Sequence, residues 1–141
     1  MIKINYPNHP FNIKEENNKH FIFDEVRKKW VILTPEEWVR QNFIQYLIQE
    51  IKVPSSLIAV EKQIKLNDIT KRCDIIVYKN SIPWMIVECK EQDVAINENT
   101  LQQILGYNQR LDVSFLVLTN GNSTFVFDTK NQQFQNSIPL F

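Results

Sequence analysis

Asp74, Glu88 and Lys90 are the residues whose types and spacing suit a reaction. Asp74 opens the apolar run Asp74-Ile-Ile-Val-Tyr78, and Glu88-Cys89-Lys90 closes the next one, which begins at Pro83. Two carboxylates on one hairpin can hold a hard divalent cation. An oxygen-rich site of that kind favours Mg2+, with Mn2+ as a substitute, over zinc. Such a cation lowers the pKa of a bound water and stabilises negative charge building on phosphorus. A lysine beside it orients that water or steadies the transition state. The expected chemistry is metal-dependent hydrolysis of a phosphodiester bond.

A hairpin must bring the three together. Residues 72–78 and 83–89 read as its strands. With the turn centred on Ser81, Asp74 and Glu88 are each seven residues from the centre. They fall opposite one another, where Cβ atoms stand about 5 Å apart. Period-two alternation then places Asp74, Glu88 and Lys90 on one face and Cys73 with Cys89 on the other. The plain alternative is a hairpin that carries polar residues at its open end. Against it, Ile75, Ile76 and Val77, with Trp84, Met85, Ile86 and Val87, predict strands covered on both faces. Charged groups at the ends of such strands are costly unless paired or metal-bound. Cys73 and Cys89 read as small core residues. Two thiols without neighbouring histidines make neither a disulfide framework nor a zinc site.

A helix is expected over 34–51. Thr34 can cap it, Pro35 suits its first position, Glu37 closes a capping box, and Pro54 follows its end. At 100° per residue, Val39, Phe43, Ile44, Leu47, Ile48 and Ile51 form one apolar arc. Glu36 and Arg40 fall inside that arc, and Glu37 falls at its edge. One reading is an i,i+4 ion pair at the helix start. The other is that Glu36 points to the hairpin acids and supports a metal shell. Trp38, on the far side, is a partner surface or packs against the N-terminal segment.

Around these lie short strands over 21–24 and 30–33 and a strand over 57–66. A helix over 100–110 and a buried strand over 113–118 follow. Asn120-Gly121-Asn122 forms a turn into a strand over 124–128, and the tail from Asn131 is weakly structured. That order predicts an α/β sandwich (α+β) with a mixed sheet flanked by helices. A chain of 141 residues suits one domain, 1–141. The sixteen basic and sixteen acidic residues cancel. A stand-alone, high-affinity nucleic-acid coat normally has a basic excess, whereas an enzyme with a local basic patch, or one delivered by a partner, need not. Gly106 and Gly121 are the only glycines, so a phosphate-cradling loop and an ATP motor are excluded. No apolar run reaches the ~20 residues that span a bilayer. With no secretion signal either, a cytoplasmic protein without membrane partners is expected.

The ordered set of motifs is the specific signal: helix acid Glu36, Asp74, Glu88-Cys89-Lys90, Gln103-Ile-Leu-Gly-Tyr107 and Leu116-Val-Leu-Thr-Asn-Gly121. It resembles the PD-(D/E)xK nuclease superfamily, and within it the N-terminal nuclease domain of type I restriction enzyme R subunits. The resemblance covers about 22–128, leaving an N-terminal extension, 1–21, and a tail, 129–141. Cys73 stands where the motif usually has proline. The resemblance implies a restriction-endonuclease-like fold acting on DNA. Asp74, Glu88 and the backbone carbonyl of Cys89 would hold Mg2+, and Lys90 would be the catalytic lysine. Glu36 would be the acid of the first helix, with Gln103 and Tyr107 beside the site. Taken alone, Gln103 reads as a solvated helix residue and Tyr107 as a core aromatic. No helicase motor accompanies these motifs. Partners from a restriction system, a motor subunit or a second copy of the chain are therefore expected. The alternative is a non-catalytic nucleic-acid or protein-binding module that keeps the fold.

Overall fold

The computed structural model describes residues 1–66, 69–105 and 112–141. It is an α+β fold with two sheets. A three-stranded antiparallel sheet contains β1 (Ile13–Glu16), β2 (Lys19–Asp24) and β3 (Lys29–Ile32) in that order. A six-stranded mixed sheet follows in sequential order: β4 (Ile58–Leu66), β5 (Ile69–Lys79), β6 (Ile82–Cys89), β7 (Phe115–Thr119), β8 (Thr124–Asp128) and β9 (Gln133–Gln135). Among the described strands of that sheet, only β6 and β7 pair in parallel. The connection between those two strands carries α2 (Glu98–Leu105), as a parallel step requires a crossover.

The first helix, α1 (Pro35–Gln49), begins as its sequence demands. Thr34 Oγ1 accepts the backbone N–H of Glu37 at 3.0 Å, and Pro35 takes the first turn, where no N–H is needed. Its apolar residues Val39, Phe43, Ile44 and Leu47 pack on one face of the large sheet against Ile75, Val77, Met85 and Val87. Leu101 of α2 belongs to the other face, with Ile76, Ile86, Leu116 and Leu118. β5, β6 and β7 are therefore covered on both sides, which explains their continuous apolar runs.

The tail is more ordered than expected. β9 adds a sixth strand, Ile138 is buried, and the Phe141 ring meets Trp84 edge-on at 5.4 Å. These late apolar residues cover the open end of the α1 side of the core, a role that weak local propensity does not announce. Trp38 packs on the N-terminal segment, its ring 5.3 Å from that of Phe11.

The β5–β6 hairpin reaches the expected register by another route. Asn80 and Ser81 form a two-residue turn with both φ positive, +55° and +67°, as type I′ hairpin turns require. Tyr78 pairs with Pro83 and Val77 with Met85, so Trp84 is an extra residue, a bulge. From there Ile76 pairs with Ile86 and Ile75 with Val87. The next step sets Asp74 opposite Glu88. Without the bulge Asp74 would face Val87.

Candidate active site

Asp74 and Glu88 meet at the C-terminal end of β6. The charge of Asp74 acts on the Glu88 carboxyl. The ladder ends at Ile75↔Val87, and beyond it the backbone N–H of Cys89 donates to Asp74 Oδ2 at 2.7 Å. The aspartate thus takes a bond that a regular sheet would give to a carbonyl.

This break corrects one expectation. Cys73 and Cys89 do not share a face: Cys73 belongs to the α2 side of the core and Cys89 to the α1 side. Strict alternation fails at Asp74, which turns toward α1, and the facing residue of β4, Glu61, has a φ of +53°. Both thiols are free and buried. Burial, then the charge of Glu88, pushes the Cys73 thiol up to about 12. Burial and the neighbouring Asp74 hold that of Cys89 well above its ordinary value. Neither is a nucleophile at neutral pH.

Glu88 is the electrostatically stressed group. Burial, then the charge of Asp74, raises its pKa to about 7. Its Oε1 is buried and accepts no hydrogen bond, although Lys71 Nζ stands 3.3 Å away as an ion pair. Lys71 is therefore a counter-charge for Glu88. A divalent cation suits this donor set, since two crowded carboxyls with an unbonded oxygen otherwise share a proton. Among the described residues no three His, Cys, Asp or Glu side chains gather closely enough to hold a metal. A backbone carbonyl and waters would have to complete the shell, as Mg2+ commonly accepts.

Lys90 lies just past the strand, so alternation does not reach it. Its N–H donates to Thr119 O at 2.9 Å, which ties it to the end of β7. Its charge acts on Glu36. Burial, then Asp74, raises the Glu36 pKa, while Arg40 and Lys90 pull it down. Glu36 therefore faces the site, and it is also the i,i+4 partner of Arg40, at 3.7 Å. Glu37 is the more buried of the two acids and turns the other way, to Arg27 and Gln41.

Arg40 is the residue that sequence reasoning undervalued. Its buried guanidinium sits among four acids: Glu61 at 2.7 Å, Glu37 at 3.4 Å, Asp74 at 3.6 Å and Glu36 at 3.7 Å. Burial opposes the charge on Glu61, but Arg40 and Arg72 outweigh it and hold that carboxyl below its ordinary value. The network continues inward. Arg27 Nη2 bonds both Glu37 oxygens at 3.2 Å, while its Nε pairs with Asp24, which is fully buried and takes Gln41 Nε2 at 2.9 Å. A chain of ion pairs thus joins the small sheet to Asp74. The signal was present in sequence as an arginine inside an apolar arc, but its partners on β2 and β4 are distant in the chain.

Gln103 is exposed on α2, and no hydrogen bond or ion pair links it to Asp74, Glu88 or Lys90 among the described residues. Tyr107 lies outside the described residues. The chemical capacity of the site is that of two apposed carboxyls, one N–H-clamped and one proton-hungry, beside a lysine.

Residues 35–139 match the family described as Type I restriction enzyme R protein N terminus. No curated protein matches the chain. The matched span begins with α1 and runs into the tail, so it takes in both elements that carry the acids.

Proposed function

The chain belongs to the type I restriction enzyme R protein N-terminal family, and from that membership we propose that it is a metal-dependent endonuclease hydrolysing DNA phosphodiester bonds. In this reading it is a PD-(D/E)xK enzyme with a restriction-endonuclease-like fold. The observation that carries it is the register that sets Asp74 opposite Glu88 at the end of the β5–β6 hairpin, with Lys71 paired to Glu88 at 3.3 Å.

Asp74, Glu88 and the Cys89 carbonyl would hold Mg2+, with Mn2+ as a substitute. When bound, the cation supplies charge stabilisation at phosphorus and a more acidic water. The chain's own residues do the rest. The Cys89 N–H and Arg40 fix the Asp74 carboxylate from two sides, at 2.7 and 3.6 Å, so the ligand needs little reorganisation. Lys90 presents an ammonium that orients the attacking water or meets developing charge. Glu36 supports the shell from α1. Gln103, exposed on α2, and Tyr107 contact the nucleic acid or its phosphate. A motor or other restriction-system subunit, or a second copy of the chain, brings the domain to DNA, in keeping with its zero formal net charge.

The test is incubation of supercoiled plasmid and linear DNA with Mg2+ or Mn2+, beside Asp74→Ala and Lys90→Ala. Cutting by wild type that falls at least ~100-fold in both variants supports the proposal. Equal cutting by all three overturns it.

One observation favours a second reading, a non-catalytic nucleic-acid or protein-binding module. Arg40 already places a cation beside Asp74. A Mn2+ titration separates the two, because a binding module has no Asp74-dependent Mn2+ affinity.

A further inference from the structure

A cavity lined in part by Gln92, two residues past Lys90, is left unused by the hydrolytic reading. It occupies about 280 Å3 between the first half of α1, the β7–β8 turn, the segment leaving Lys90 and the N-terminal strand-like segment. Trp38 and Tyr6 supply its aromatic walls, and Asn42, Gln92 and Asn122 supply its amides. Among the described residues no charged side chain lines it. The size is at the low end of small-molecule sites, roughly 300 Å3 and upward. One ring system fits this volume.

The amides are unspent. Among the described residues the side chains of Gln92 and Asn122 make no hydrogen bond, and both residues are exposed at the cavity mouth. Asn42 uses one donor, Nδ2 to Trp38 O at 2.9 Å, and keeps its carbonyl oxygen. Gly121 has a φ of +89°, a conformation that other residues adopt only with strain, while a Cβ there would meet Val39 Cγ2 and Gln92 Cγ at ordinary contact, 3.4 and 3.6 Å. Two buried hydroxyls, Thr119 and Thr124, bond each other at 2.8 Å beside Tyr6.

Position assigns the occupant. Gln92 is two residues from Lys90, and Gly121 is two from Thr119, whose carbonyl holds the Lys90 N–H. A phosphate at Lys90 would have its neighbouring nucleotide within reach of this cavity. Aromatic faces stack on any base, and amides match the paired donors and acceptors on a base edge. We propose that the cavity bounded by Trp38, Tyr6, Gln92 and Asn122 receives one unstacked nucleobase of the DNA next to the scissile phosphate. This rests on DNA being the substrate. The site then reads a base in a single-stranded, frayed or flipped position, and the duplex need not be contacted through a groove.

The experiment uses the full chain without metal, so that hydrolysis plays no part. Titrate it by calorimetry, or by protein-observed NMR, with each of the four deoxynucleoside 5′-monophosphates, and with deoxyribose 5-phosphate as the base-free control. Repeat with Gln92→Ala, Asn122→Ala and Trp38→Ala, checking each fold by thermal unfolding. At least one nucleotide binds saturably, the base-free sugar phosphate binds at least ~10-fold more weakly, and Trp38→Ala or Gln92→Ala costs about 10-fold. No saturation by any nucleotide, or equal binding of the base-free control, overturns the proposal. So does unaltered affinity in all three variants. Loss of plasmid cutting with nucleotide binding intact would instead sink the hydrolytic reading alone.

Discussion

Arg40 Nη2 lies 3.6 Å from Asp74 Oδ1, and the same guanidinium reaches Glu61 at 2.7 Å. One buried cation from α1 therefore locks the first strand of the acid-bearing hairpin to its neighbour β4. The site is thus part of the packing, not a surface addition to it.

Removing that cation should be costly. Arg40→Met leaves Glu37, Glu61 and Asp74 facing one another in a largely dry space. Breaking a buried pair by deleting one partner typically costs about 3–5 kcal/mol. Glu61 is about a quarter exposed, and water will shield part of the repulsion, so a loss of about 3 kcal/mol is expected. Urea unfolding measures it. A loss under ~1 kcal/mol would mean that the network is only decorative.

Metal should stabilise the fold through the acids and not through the lysine. A ligand present at 100 times its dissociation constant adds about 2.7 kcal/mol to a native state that alone binds it. Mn2+ should therefore raise the unfolding midpoint of wild type and of Lys90→Ala. It should leave Asp74→Ala and Glu88→Ala unmoved. An equal rise in all four proteins would place the cation elsewhere.

Asp24 gives the fold a defined acid sensitivity. Burial opposes its charge, but N–H bonds from Arg27, with Gln41, outweigh that and hold its pKa below the ordinary value. A lowered folded pKa means stability that is fully present above the unfolded value, about 3.9, and is lost as pH falls through the folded one. In Asp24→Asn this contribution is absent at every pH. Denaturant titrations between pH 6 and 2.5 should give wild type a steeper acid-side decline than the variant. Parallel curves would refute this.

The hairpin turn can be improved. Ser81 has a φ of +67°, where a side chain is strained and glycine is not. Ser81→Gly should stabilise the protein by about 1 kcal/mol without moving Asp74, because the Trp84 bulge, not the turn residue, fixes the register beyond it. A thermal melt checks the first part, and unchanged Mn2+ affinity checks the second.

Local signals in the chain were enough for α1, the hairpin and the mixed sheet. Thr34 and Pro35 fix a helix start by their own chemistry, and the apolar runs at Ile75 and Met85 demand cover on both faces. The hairpin itself was legible, but the opposition of Asp74 to Glu88 depends on the Trp84 bulge, which a turn centre and a period of two do not announce. What only the folded chain decided is where the charges go. Cys73 and Cys89 part to opposite faces because alternation breaks at Asp74, and a break of that kind has no local signature. Arg40 became the hub because Glu61 and Asp74 converge on it from strands 21 and 34 residues away in sequence. The Trp38–Gln92 cavity needs four distant segments at once. Periodicity reports which residues are covered, but pairings between segments arise only when packing sets the elements side by side.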